Sequence, residues 1–463
     1  MTMARVLLYS TNRTTEPYPV YPLGMAMVAA SLQRAGHKVE QFDLLASGED
    51  WNALRRLLEE FNPQVICYSL RNIDNVDSFS GTEGWYLDQA REAISFVRRF
   101  SSAPIVIGGP ALTIMPEEIP AYVGADFAVV GEGEKLVPQL VEKLVAGETV
   151  PAISYAGESP LRGEEIFEPL RKAEWVRFYL DQSETINLQS KRGCPFRCSY
   201  CTYPTLEGHC FRYRPVRAVV DEMERAQHQF GEATFFFTDS VFNDPQGYYL
   251  EIAEEILRRD LHLRWSGYFR PQGLDRKKMA LLKRAGLMAV EFGTDAACDA
   301  TLAGLNKGFT FADVAQANAA CVAEEIPAAH FVIFGGPGET EKTVAEGLSN
   351  LERLEDCVVF AFSGIRILPG TGIYQRARSE GLLSEATPLL KPRFYHAPGL
   401  DIAAMHQAIE TSFAHRCNRV FPPSEWQKRL KITRNFGHRG MLWDKLIPTV
   451  KKRRQRFGNH HAG

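Results

Sequence analysis

A chain of 463 residues is longer than a single hydrophobic core supports, so two or three domains are expected. Hydrophobic residues make up 45% and charged residues 24% of it, as in ordinary soluble proteins, and a formal net charge of −3 offers no electrostatic case for nucleic acid as a partner. No apolar run reaches the length of a membrane span, and the opening MTMARVLLYS lacks the features of a secretory signal, so the chain reads as cytoplasmic.

The predicted elements begin with residues 1–150, where short apolar runs alternate with amphipathic stretches as in a doubly wound α/β sheet. Strands are expected at 6–9, 39–44, 65–69, 105–107 and 127–130. Leu87, Ala90, Ile94 and Val97 recur at helical spacing, which suits a crossover helix. The module is therefore Rossmann-like or flavodoxin-like, and its ligand belongs beyond the carboxyl ends of the strands. Those ends carry Ser69, Gly108-Gly109-Pro110 and Gly131-Glu132-Gly133. Glycines there let a large flat ligand approach the backbone, and the lack of GxGxxG after the first strand argues against a dinucleotide.

Residues 151–184 contain Pro160, Pro169 and mixed charges without periodicity, and read as a linker over the domain interface. From 185 to 395, apolar runs at 186–188, 234–237, 264–268, 288–292, 330–334 and 358–362 are each followed by room for a helix. Six such units predict a partial (β/α)6 barrel of TIM type with its chemistry at the strand ends. Residues 396–463 are expected to be a helical C-terminal region.

After the first barrel strand the chain reads GCPFRCSYCT, placing Cys194, Cys198 and Cys201 in a CxxxCxxC triplet. Three thiolates are one too few for a closed structural site, which points to a metal vertex left open for chemistry. A zinc knuckle completed by His209 or Cys210 is the alternative at this stage. Cys67, Cys298, Cys321 and Cys357 lie in apolar surroundings and read as packing residues.

The triplet resembles the signature of the radical S-adenosylmethionine (SAM) superfamily, which implies a [4Fe-4S] cluster on these cysteines with SAM chelating the fourth iron. PLGMAMVAASLQRAGHKV, the GGPAL turn and VVGEGE resemble the cobalamin-binding domain found upstream of many such barrels. The two together are similar to cobalamin-dependent radical SAM methyltransferases. What the resemblance implies for SAM binding is Tyr200 beside the cluster, Asp239 for the ammonium, Arg270 for the carboxylate, Glu291 for the ribose hydroxyls or the ammonium, Gly335-Gly336-Pro337 turning over the nucleoside, and Arg366-Ile367 placing backbone against adenine. For cobalamin it implies Tyr21 and Gly24, the Ser69-Leu70-Arg71 loop, and the glycine turns at 108–110 and 131–133. Matching Gly24 to the last glycine of the Asp-x-His-x-x-Gly pattern puts Tyr21 where a ligating histidine stands elsewhere, so cobalt is expected without imidazole, with Arg71 a candidate for its lower face. The bland alternatives are an ion-paired Arg71, a helix-capping role for Asp239, and Arg212 and Arg214 pairing with Glu207 and Glu222.

The resemblance further implies methyl transfer to an unactivated carbon of a small molecule or lipid, the cluster generating a radical from SAM and cobalamin carrying the methyl group. Ring closure or oxidation with no methyl transfer is the competing outcome, and a cofactor-binding sensor a more distant one. An electron donor such as flavodoxin or ferredoxin is an expected partner. The basic run KKRRQR at 451–456 suggests either peripheral membrane contact or a solvated tail. No general acid or base is assigned.

Overall fold

The structure, a computed structural model, describes residues 3–15, 18–81, 84–157, 160–437, 440 and 443–447. The basic run at 451–456 lies outside them. Strands β1 (Arg5–Ser10), β2 (Lys38–Asp43), β3 (Val65–Ser69), β4 (Ile105–Gly108), β5 (Phe127–Val130) and β6 (Ile153–Tyr155) form one parallel sheet in the order β2-β1-β3-β4-β5-β6. That order reverses direction at β1, which creates a crevice beyond the carboxyl ends of β1 and β3. The crossover helix Leu87–Val97 buries the four predicted positions against the sheet.

The stretch read as a linker contributes more than a connection. Ile153–Tyr155 is the sixth strand, paired with β5, and Ala173–Ser183 is a helix burying Trp175, Val176 and Tyr179. A three-residue edge strand has too few positions to show a period, and Phe178 and Leu180 blur the helical one.

The second parallel sheet comprises β7 (Thr185–Leu188), β8 (Thr234–Phe237), β9 (Arg264–Phe269), β10 (Leu287–Asp295), β11 (Ala328–Phe334), β12 (Cys357–Ser363) and β13 (Arg419–Val420). They run in simple sequence from β7 at one edge to β13 at the other. The six expected barrel strands are present, and the seventh comes from the C-terminal region. Alternation along the strands sorts the side chains. Phe235, Phe237, Trp265, Phe269, Val290, Phe292 and Val359 pack outward in the large core shared with the helices. The intervening Phe236, Ser266, Tyr268, Glu291, Phe331 and Phe362 face the hollow of the open barrel. Ala289, Ala329, Val358 and Phe360 form a separate cluster with Val420, Trp443 and Ile447, so the C-terminal segment closes the base of the hollow.

The two sheets are docked with their carboxyl ends toward one another. Arg366 Nε donates to Asp74 Oδ2 at 2.8 Å in a pair buried on both sides, and Ser78 Oγ donates to the Ser363 carbonyl at 2.6 Å. On the opposite flank Glu132 receives Arg192 at 3.1 Å and Arg212 at 2.7 Å. The helix after the GGP turn, Pro110–Ile114, touches Tyr203–Glu207, the helix after the cysteine triplet.

Candidate active site

The cysteine loop is held from beneath by backbone and side-chain bonds. Gly193 has φ +88°, and a Cβ there would lie 2.0 Å from the Cys210 carbonyl oxygen, so only glycine starts the loop. Ser240 Oγ donates to the Gly193 carbonyl at 2.8 Å, Gly193 N donates to Glu207 at 3.1 Å, and Ser199 N donates to the Leu305 carbonyl at 2.9 Å. Cys194 is buried, Cys198 and Cys201 are half-buried, and Cys210 is exposed on the outside of the loop. Burial raises the Cys194 thiol and pushes Cys201 up to about 12, where the charges of Cys198 and Cys194 add to the effect. The raised Cys194 and Cys201 thiols favour the protonated form, so binding a metal there releases protons. Among the described residues no three His, Cys, Asp or Glu side chains converge on a single ion.

Cations stand ready to compensate three thiolates. Arg270 and Lys307 both feel the charge of Cys198. Arg270 stacks 4.0 Å from the Phe196 ring centroid, inside the cysteine loop, and donates to the Lys307 carbonyl. Tyr200 and Lys307 both donate to Asp295, which ends β10 at φ +59°. The donor set suits a cluster: soft thiolates on one loop, with two cations and an aromatic ring around it.

Asp239 differs from its expected part. It is 0% exposed, and its oxygens accept from Ser190 N at 2.7 Å, Lys191 Nζ at 3.2 Å and the Ser190 hydroxyl. The carboxylate supports the root of the cysteine loop and faces no open space. Asp295, at the end of β10, is the acid beside the triplet. The sequence rule that singled out Asp239, a carboxylate closing a barrel strand, applies equally to GTD at 293–295.

Glu291 sits four residues earlier on β10, on the inner wall, 6% exposed, accepting from Trp443 Nε1 at 3.3 Å. Burial pushes its carboxyl up to about 7. Gly335 and Gly336 form the expected turn after β11 with Pro337. Gly335 has φ +88°, and a Cβ on it would strike His396 at 2.8 Å. Glu339 accepts from Gly335 N at 3.2 Å, and Thr340 caps the helix Glu341–Glu352. Arg366 is spent on Asp74 and on the Ile367 and Leu389 carbonyls, and Ile367 N donates to the Arg393 carbonyl at 2.8 Å. These backbone and guanidinium groups fasten the sheets together, so the expected adenine contact has little left to use here.

On the first sheet the turns stand as expected. Gly109 has φ +107°, and a Cβ would lie 2.5 Å from the Leu70 carbonyl oxygen, so the GGP turn runs hard against the Ser69-Leu70-Arg71 loop. Gly131 has φ +87°, Gly133 begins the helix Gly133–Val145, and Thr113 Oγ1 accepts from Gly131 N at 3.0 Å. Gly24 and Gly108 have no atom closer than 3.7 Å to an added Cβ, leaving open approaches. The Tyr9 hydroxyl, in the core under the first sheet, and Asn12 Nδ2, just past the carboxyl end of β1, are buried without a partner among the described residues. The orphaned Asn12 amide at the switch point fits a buried polar ligand tail. Glu132 contributes ion pairs to Arg192 and Arg212 rather than an open carboxylate. Arg212 thus binds Glu132, and Arg214 pairs with Glu222 at 2.8 Å. Tyr21 is buried in the core, its hydroxyl accepting from Lys172 N at 3.1 Å.

Arg71 is exposed to the hollow and makes no ion pair among the described residues. Tyr18, Tyr179, Tyr203 and Tyr268 all feel its charge. Tyr18 and Tyr268 feel Glu291 as well, which puts groups from both sheets around one space. Tyr268 leaves 41% of its surface open, yet the protein surrounding it raises its phenol strongly. It opens onto an enclosed hollow, which a sequence without contacts does not reveal.

The Radical SAM superfamily matches residues 188–349 and the B12 binding domain residues 9–141. Tryptophan 2-C-methyltransferase of Streptomyces laurentii is 26% identical over 434 residues, spanning 77% of this chain and 72% of that protein. Hopanoid C-3 methylase of Methylococcus capsulatus is 27% identical over 59% of this chain and 53% of its own. The fold is that of the radical SAM methyltransferase TsrM from Kitasatospora setae, solved with tryptophan and a SAM analog: TM-score 0.80 and 24% identity, over 98% of this chain and 99% of that one.

Proposed function

We propose, from the premise that this chain belongs to the cobalamin-binding-domain radical SAM enzyme family, that it transfers a methyl group to a carbon of a small-molecule substrate lying between its two sheets. The observation that carries this reading is the convergence of the cysteine loop and the switch-point crevice on one hollow. When bound, the cluster and cobalamin supply the one-electron chemistry and the methyl carriage.

The chain's own part is holding and shielding. Cys194, Cys198 and Cys201 hold the cluster, Arg270 and Lys307 offset its charge, and Asp239 with Lys191 fixes the loop's root. Asp295 and Tyr200 flank SAM beside the Gly335-Gly336-Pro337 turn. Ser69-Leu70, the glycines at 108–109 and 131–133, and Asn12 would cradle cobalamin, with the Arg71 guanidinium beside them. The docked sheets exclude bulk water from the space between them. Electrons arrive from a small donor such as flavodoxin or ferredoxin. Among the described residues no helix is long and apolar enough to cross a membrane.

The test is anaerobic reconstitution with cluster and cobalamin, then turnover with SAM labelled in its methyl group. Label in a substrate-derived product supports methyl transfer. Consumption of SAM with an altered but unlabelled product favours cyclisation or oxidation.

A further inference from the structure

Glu291 is a buried acid that no cation among the described residues balances. It faces the hollow from the middle of β10, 6% exposed, and its one hydrogen bond among the described residues comes from the Trp443 indole. A carboxylate offers about four acceptor positions, so most of this one's capacity is unused. Burying an ionised group without a counter-charge is among the costlier arrangements a fold retains. Arg71 does not relieve it: that guanidinium acts on Tyr18 and Tyr268 toward the first sheet, whereas burial and Trp443 account for the state of Glu291.

What surrounds the acid is aromatic. Tyr268 is its register partner on β9, Phe236 packs on Tyr268 with ring centroids 5.0 Å apart, and Phe331 follows on the inner face of β11. Trp443 lies beneath and Tyr18 reaches in from the first sheet. Ser266, on the same inner face of β9, is 0% exposed, and its hydroxyl has no partner among the described residues. The floor therefore holds one uncompensated carboxylate, one orphaned hydroxyl and several ring faces.

We propose that the barrel floor anchors a positively charged nitrogen of the substrate, an amine held by the Glu291 carboxylate and the aromatic faces of Tyr268 and Phe331. An ammonium brings the missing charge and several donors, and aromatic faces attract it further. A neutral N–H would satisfy one acceptor and leave the charge unbalanced. The ammonium of SAM is a poorer occupant, because the acid level with the cysteine loop is Asp295, four residues further along β10. The assignment rests on the reading of the hollow as the substrate site.

The experiment uses the reconstituted holoenzyme and two probes of equal shape, benzylammonium and benzyl alcohol, with binding measured by calorimetry. Benzylammonium is expected to bind about tenfold or more tightly than benzyl alcohol. In Glu291→Gln, which keeps the volume, the two should bind within about twofold of each other. The titratable groups facing Glu291 among the described residues are Tyr268 on β9, Tyr18 from the first sheet and, further off, Arg71. Both phenols stay neutral through this range, so benzylammonium affinity should rise from pH 6 to pH 8 while that of benzyl alcohol stays flat. Equal binding of the two probes to the wild type overturns the proposal. So does a Glu291→Gln protein, folded by circular dichroism, that keeps the preference or loses affinity for S-adenosylhomocysteine instead. These are binding measurements, so absence of labelled product would defeat the methyl-transfer reading while leaving the anchor standing.

Discussion

The two parallel sheets present their strand ends to the same hollow in different materials. The first offers mostly backbone: glycine turns at 108–109 and 131–133, two of them at positive φ, with Glu132 turned aside into ion pairs. The second offers side chains, namely three thiols, Arg270, Lys307, Asp295 and Tyr200, tied into one charged network. A broad flat ligand needs close approach over a large area, which side chains obstruct. A compact anionic centre needs ligands and compensating charge, which backbone alone cannot supply.

The strongest way to break this comparison is at the thiols. Changing Cys194, Cys198 and Cys201 together to Ala should abolish the iron–sulfur chromophore and all SAM consumption while leaving cobalamin content near that of the wild type. Cys210→Ala should alter neither. Loss of the chromophore with Cys210 alone would revive the four-ligand alternative.

Next in size is the support of the loop. Asp239→Ala removes the nearer counter-charge of buried Lys191 and leaves it Asp244 at 3.8 Å, for which about 3 kcal/mol of destabilisation is expected, read by denaturant unfolding. A folded Asp239→Ala with normal stability but weakened SAM binding would restore Asp239 to the ligand role expected from sequence.

A side chain imposed on the backbone-built half should act in the opposite sense. Gly109→Val puts a Cβ against the Leu70 carbonyl at positive φ and should weaken cobalamin retention about tenfold, one unsatisfied contact's worth, with iron content unchanged. In the wild type the paramagnetic resonance spectrum of the cob(II)alamin form should show no splitting from an axial nitrogen, since Tyr21 is locked onto Lys172. Splitting would mean that another imidazole or the cofactor's own base occupies the lower face.

The smallest effect sharpens the energetics of the floor. Glu291 titrates at about 7 in the folded chain against an ordinary 4.5. Between those values the folded state holds the extra proton, so this contribution to stability is complete below 4.5 and is lost as pH rises through 7. Glu291→Gln should therefore raise the melting temperature at pH 8 by roughly 2 °C and leave it unchanged at pH 4. An equal shift at both would remove the titrating acid from the explanation.

Much of this was legible in the chain before folding. Strands β1 to β5 and the six main barrel strands announce themselves because each carries a short cluster of apolar, largely β-branched or aromatic residues with room for a helix before the next. The cysteine triplet is visible because its ligands fall within a span of eight residues and need no fold to bring them together. Asp239 and Asp295 look alike in sequence, each closing a barrel strand. Only the register of Ser190 and Lys191 over one, and the reach of Tyr200 and Lys307 to the other, separates a buried prop from a site acid.

The sequence by itself determined the two α/β layers, the glycine turns and the thiol loop, since all of these are set by local periodicity, backbone conformation and short spacing. The tertiary structure decided how the layers meet. Arg366 finds Asp74 across nearly three hundred residues, Trp443 closes the barrel beneath Glu291, and Tyr18, Arg71 and Tyr268 come to line one space. Contacts at that separation depend on the docking of whole sheets, and no local pattern encodes which side chains the docking will bring face to face.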